Sequence, residues 1–107
     1  MIIIDAQMKS DYFALTADGH ANAARNDDGR DLVCCAVSTI MGTLANSCAL
    51  IDDVSTMYTT RSGYAHIFVN NCGELWCEVC SRFQMAVDGL NALAAQYPQS
   101  LRVTVEN

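Results

Sequence analysis

The sequence predicts an α+β domain, a five-stranded, mostly antiparallel sheet with two helices in the order β-β-α-β-β-α-β. Three features carry this reading. Short runs near both ends alternate apolar and polar residues at period two, and two central runs rich in β-branched and aromatic residues flank a turn. Two longer runs repeat apolar residues at steps of three and four, the spacing of a helix that buries one face. The chain is 107 residues long, which fits one domain, 1–107, since domains commonly run on the order of 100 to 200 residues.

Ile2, Ile4, Ala6 and Met8 share one face of a first strand, and Tyr12 to Asp18 repeats the pattern after the turn-like Lys9-Ser10-Asp11. The segment 19–30 then turns polar. Asn22, Asn26, Asp27, Asp28 and Gly29 favour turns through side-chain to backbone hydrogen bonds or positive φ, so this segment is expected to be a mobile loop. Asp31 precedes Leu32-Val33-Cys34-Cys35, where a short carboxylate can accept from the free amides of a first helical turn. Val33, Val37, Ile40, Leu44 and Cys48 form the stripe that this helix should turn to the sheet.

Val54 to Thr60 and Tyr64 to Asn70 flank Arg61-Ser62-Gly63 as a second hairpin. After a turn at Asn70-Asn71-Cys72-Gly73, the residues Leu75, Val79, Phe83, Ala86, Leu90, Leu93 and Tyr97 mark a longer helix that Pro98 ends. Leu101, Val103 and Val105 alternate with polar residues in a last strand. Both helices should lie on one face of the sheet.

Composition narrows the function. The formal charge is -6 with only 6 Lys and Arg, so no basic surface is available for direct nucleic-acid binding. An acidic globule instead attracts basic polypeptides. The N-terminal Met1-Ile2-Ile3-Ile4-Asp5 lacks a basic leader, and no run reaches the roughly 18 apolar residues of a membrane span. The expectation is a cytoplasmic protein with no membrane partner, whose six cysteines are reduced thiols. Adjacent Cys34 and Cys35 fit a disulfide framework poorly, because each would need a partner in a different direction.

Two short motifs bracket the polar segment: Gly19-His20-Ala21 and Asp31-Leu32-Val33-Cys34. With Asp31 as the cap, Cys34 is the third residue of the helix, where unpaired amides and the positive end of the helix dipole stabilise a thiolate. A cysteine protease needs that thiolate to attack a carbonyl carbon and an imidazole to protonate the leaving amine. The amides of the helix's first turn could receive the developing oxyanion. The plain alternative is that Cys34 is a small buried hydrophobe and His20 an ordinary surface residue. Cys35, one position on, should face another direction.

Gly19-His20-Ala21, Asp31-Leu32-Val33-Cys34 and Ser38 together resemble the signature of the Prp-type ribosomal-processing cysteine proteases, with a weaker match at Gly42 and Asn46. The resemblance implies an endopeptidase that removes the N-terminal extension of a basic large-subunit ribosomal protein, cutting after an aromatic residue. It implies His20 and Cys34 as the catalytic pair, Asp31 and Ser38 as supporting residues, and Gly19, Ala21 and Gly29 in a substrate-adapting loop. It also implies a homodimer and no cofactor. Two departures are a slightly longer segment between His20 and Cys34, and Cys35 where alanine is usual.

Two rival readings remain. Cys72, Cys77 and Cys80 have the spacing of three iron-sulfur ligands, and Cys77-x2-Cys80 alone suits zinc or redox chemistry, although no fourth cysteine follows and the surrounding periodicity is helical. The other is a non-enzymatic acidic module that binds a basic ribosomal protein. His66, between Tyr64 and Phe68 at period two, reads as a face-lining strand residue, and Trp76 as helix-end packing.

Overall fold

Ile2, Ile4, Ala6 and Met8 are buried along one side of β1 (Ile2–Met8), and the sheet grows outward from this strand. The computed structural model describes residues 1–21 and 31–107. β1 pairs antiparallel with β2 (Tyr12–Asp18), closed by a Lys9 N–H to Tyr12 carbonyl hydrogen bond of 2.9 Å. β2 pairs antiparallel with β4 (Tyr64–Asn70), and β4 with β3 (Ser55–Arg61). β5 (Leu101–Glu106) lies parallel to β1 on the far edge, giving the order β3-β4-β2-β1-β5.

The one parallel pairing follows from the connection. β4 and β1 are both antiparallel to β2, so they run the same way. The helix after β4 carries the chain back to the end from which β4 started, and β5 must then run with β1. Within the second hairpin Arg61 belongs to the strand and not to the turn. It pairs with Tyr64, its guanidinium 3.9 Å from the ring centroid, which leaves Ser62 and Gly63 as the connection.

α1 (Leu32–Ala49) packs on β3 and β4, and α2 (Trp76–Gln96) on β5 and β1, both on one face of the sheet. The core between the layers is built from Phe13, Leu15, Met41, Ile67, Phe83 and Leu90, all fully buried. Phe13 sits 5.2 Å from the Phe83 ring and 5.3 Å from that of Trp76. Trp76 opens α2, after a short 3-10 turn over Gly73–Leu75, and its Nε1 donates to the Lys9 carbonyl.

The stripe on α1 differs at one step. Met41 is fully buried, whereas Ile40 is half-buried and turned toward Gly89 of α2, because this helix meets the sheet and the second helix together. By length and composition α1 is also apolar enough to cross a membrane, with 18 residues at mean hydropathy 1.6, contrary to the expectation that no run reaches that length. Valine, leucine, isoleucine and cysteine raise the average, and of these residues Val33, Val37, Leu44 and Cys48 are packed inside the fold together with Met41. Residues 22–30, including Gly29 and most of the expected mobile loop, lie outside the described residues.

Burial pushes the Cys48 and Cys72 thiols above their ordinary value of 9.0, partly offset at Cys48 by a Ser47 hydrogen bond and the Arg82 charge. A raised thiol stays neutral in the folded chain while its unfolded counterpart ionises. Stability from this source is therefore complete below pH 9.0 and falls as pH rises through the folded value. In urea titrations across the alkaline range, Cys48→Ala should lose less stability per pH step than the parent. Phe83→Ala should cost about 3–5 kcal/mol at neutral pH in the same assay.

Candidate active site

At the end of β2 the chain turns at Gly19, whose φ is +112° and where any side chain would overlap the Met1 carbonyl oxygen. The Gly19 N–H donates to the Gly63 carbonyl at 2.8 Å, tying this corner to the tip of the β3–β4 hairpin. His20 follows on the surface, its imidazole against that tip. Ala21 turns back into the core at 4% exposure, and its N–H donates to Cys34 Sγ at 3.4 Å. The two short motifs therefore meet through a main-chain amide and a sulfur.

Asp31 caps α1 with extended backbone, φ −84° and ψ 114°. Its Oδ1 accepts from the amides of Val33 at 2.9 Å and Cys34 at 3.2 Å, and its carbonyl accepts from Cys35 at 3.1 Å. Cys34 is thus the third helical residue, half-buried, at the positive end of the helix dipole. One expectation changes. The amides of Val33, Cys34 and Cys35 are engaged by Asp31, so the N–H that faces the sulfur is that of Ala21 and not one from the helix's first turn.

His20 and Cys34 line one cleft of about 300 Å³, together with Gly19, Ser38 and Gly63. Val37 and Met41 give it an apolar floor, and Tyr58 of β3 stands at its side. Ser38 is exposed one helical turn beyond Cys34. Of the residues singled out in the sequence, the structure brings Gly19, His20, Ala21, Asp31, Cys34 and Ser38 to one corner of the sheet. Gly29 lies outside the described residues. Gly63 and Tyr58 escaped the sequence reading: one looked like an ordinary turn glycine and the other like an ordinary strand residue.

Cys35 is exposed on another side of the helix. Cys72 is buried, Cys77 exposed and Cys80 half-buried, and among the described residues no three His, Cys, Asp or Glu side chains come together to hold a metal ion. His66 lies on the sheet face away from the helices, where its Nδ1 is 2.8 Å from Thr16 Oγ1. The cleft therefore holds a thiol, an imidazole and a buried amide aimed at the sulfur, the groups that acyl transfer through a thioester requires.

The family model described as cysteine protease Prp matches residues 1–102. The chain belongs to the cysteine protease Prp family. Solved structures agree in fold. A ribosomal processing protease Prp from Staphylococcus aureus with a covalently linked product peptide superposes with a TM-score of 0.81 at 19% identity, covering 99% of this chain and 100% of that one. The same Prp with a substrate peptide gives 0.74 at 17% identity, with 99% and 100% covered. A protein from Streptococcus mutans gives 0.71 at 22% identity, with 99% and 94% covered. No curated protein matches the sequence. The Prp match takes in both motifs, since residues 1–102 contain 19–21 and 31–34.

Because Asp31 satisfies two amides at the helix start, Asp31→Ala should cost about 1 kcal/mol, and Asp31→Asn should retain most of that stability. In a chain of this size the loss corresponds to a fall in Tm of roughly 4–8 °C, measurable by scanning calorimetry.

Proposed function

We infer that this chain is a cysteine endopeptidase that removes the N-terminal extension of a large-subunit ribosomal protein. The nucleophile in this reading is Cys34 and the acid-base group His20. The observation that carries it is the corner where the Cys34 sulfur, at the start of α1, accepts the Ala21 N–H in the cleft that His20 also lines.

The steps follow from these groups. The Cys34 thiolate, at the start of α1 beside the Ala21 N–H, adds to the carbonyl carbon of the scissile peptide bond. The oxygen becomes an oxyanion, for which the Ala21 N–H beside the sulfur is the main-chain donor in this reading. His20 in its protonated form gives its proton to the departing amine, leaving a thioester on Cys34. Neutral His20 then takes a proton from water, which attacks the thioester and releases the new carboxylate. Asp31 fixes the pitch of the helix start, and Ser38 offers a hydroxyl on the same side of the cleft as Cys34. Gly19 lines the cleft and Ala21 follows it toward the sulfur, so the segment that they open is the one assigned to the substrate in this reading.

The peptide substrate is supported by the Staphylococcus aureus structures, which hold product and substrate peptides on the same fold. A basic ribosomal protein suits the charge of -6, which attracts cationic chains. Six free thiols suit the cytoplasm, where ribosomes are assembled. A homodimer is part of the same reading, resting on the family resemblance, and sedimentation equilibrium is the measurement that decides it.

Incubation with the host ribosomal protein, read by product mass, should show loss of an N-terminal peptide. Cys34→Ala should abolish that product, and His20→Ala should lower kcat/KM by roughly 10²–10⁴-fold, both with the parent's circular dichroism. Cleavage at the parental rate by either variant would refute the assignment.

A further inference from the structure

We propose that Gly63 is a positioning residue for His20, its missing side chain leaving the space in which the imidazole lies; this rests on the Cys34–His20 reading above. Gly63 is the second residue of the Ser62-Gly63 turn, with φ +72°. Its carbonyl receives the Gly19 N–H, which fixes the main chain one residue before His20. Its Cα faces the ring. A Cβ built there would lie 2.7 Å from His20 Nε2, 3.1 Å from Cε1 and 3.3 Å from Cδ2, and these are the three nearest heavy atoms. The first distance is closer than non-bonded carbon and nitrogen come.

The group that must yield to such a Cβ is the imidazole. His20 is exposed and turns about two side-chain bonds, whereas the hairpin backbone beneath it is held by the β2–β4 and β3–β4 ladders. A methyl group at residue 63 would therefore push the ring off the turn and leave the sheet in place. The expected effect falls on chemistry and not on peptide binding, because a shift of about 1 Å in a catalytic group can cost on the order of 10²-fold in rate.

Positive φ alone makes any substitution at residue 63 unfavourable, so the test needs a matched control. Gly73 supplies it: its φ is +52° and a Cβ there meets nothing within 4 Å. Gly63→Ala and Gly73→Ala should lose similar thermal stability. Gly63→Ala alone should lose roughly 10–100-fold in kcat with KM little changed. Its Cys34 alkylation by iodoacetamide, followed by fragment mass spectrometry that separates Cys34 from Cys35, should move its pH profile toward that of His20→Ala. Gly63→Asn carries the same Cβ and tolerates positive φ better, so it replaces the alanine variant if that one fails to fold. Parental kcat and alkylation profile in the folded Gly63 variant, beside a defective His20→Ala, would overturn this proposal alone. An unaffected His20→Ala would overturn the catalytic pair and this proposal with it.

Discussion

The hydrogen bond from the Gly19 N–H to the Gly63 carbonyl is the contact on which the geometry of the cleft depends. In β2 and β4 the paired residue numbers add to a constant, Tyr12 with Asn70 and Asp18 with Tyr64, and Gly19 with Gly63 is the next step of the same ladder. The bond therefore costs the fold little to place, since the register of seven residue pairs, Tyr12–Asn70 to Asp18–Tyr64, has already brought the two groups together. One such bond contributes only about 1 kcal/mol net. Its consequence is positional: the chain leaves the sheet at Gly19 with a fixed direction, and His20 and Ala21 take the surface and core positions that this direction allows.

The helix opposite is oriented by its apolar stripe. Val33 and Val37 are buried against the sheet, so Cys34, rotated by about 100° from Val33, comes to the half-buried edge of the helix. Cys35, rotated by about 200°, faces out. Ser38 lies one turn above Cys34 on the same edge. Core packing thus decides which of two adjacent thiols lines the cleft with His20 and accepts the Ala21 N–H. Asp31 then holds the first turn in helical form, where it would otherwise fray.

What was legible in the sequence was local. The first hairpin, the Asp31 cap and the place of Cys34 in the helix follow from residues within a few positions of one another, and the structure has each of them. The parallel β1–β5 pairing depends on which way the chain emerges from α2, a property of the whole topology. The burial of Met41 in place of Ile40 depends on where α2 crosses α1, and the place of Gly63 beneath His20 on a contact across 43 positions of the chain. No local pattern encodes such contacts. The engagement of the first-turn amides by Asp31 was implicit in calling Asp31 a cap, since an amide that donates to a carboxylate is not available to a substrate oxygen.

The same separation of local and distant effects sets the surroundings of the six thiols apart. Cys48 and Cys72 are held neutral by burial, and a neutral thiol is a poor nucleophile. Cys77 and Cys80 lie on α2, whose start has no side-chain cap and follows a 3-10 turn, away from both motifs. Cys35 shares the helix start with Cys34 but faces solvent outside the cleft. Among the described residues, Cys34 is where a helix start, a donated main-chain N–H and an imidazole in the same cleft coincide. The surroundings of this sulfur are then a matter of position, set by two strand ends and one cap, and a change at any of those three places alters the cleft around it.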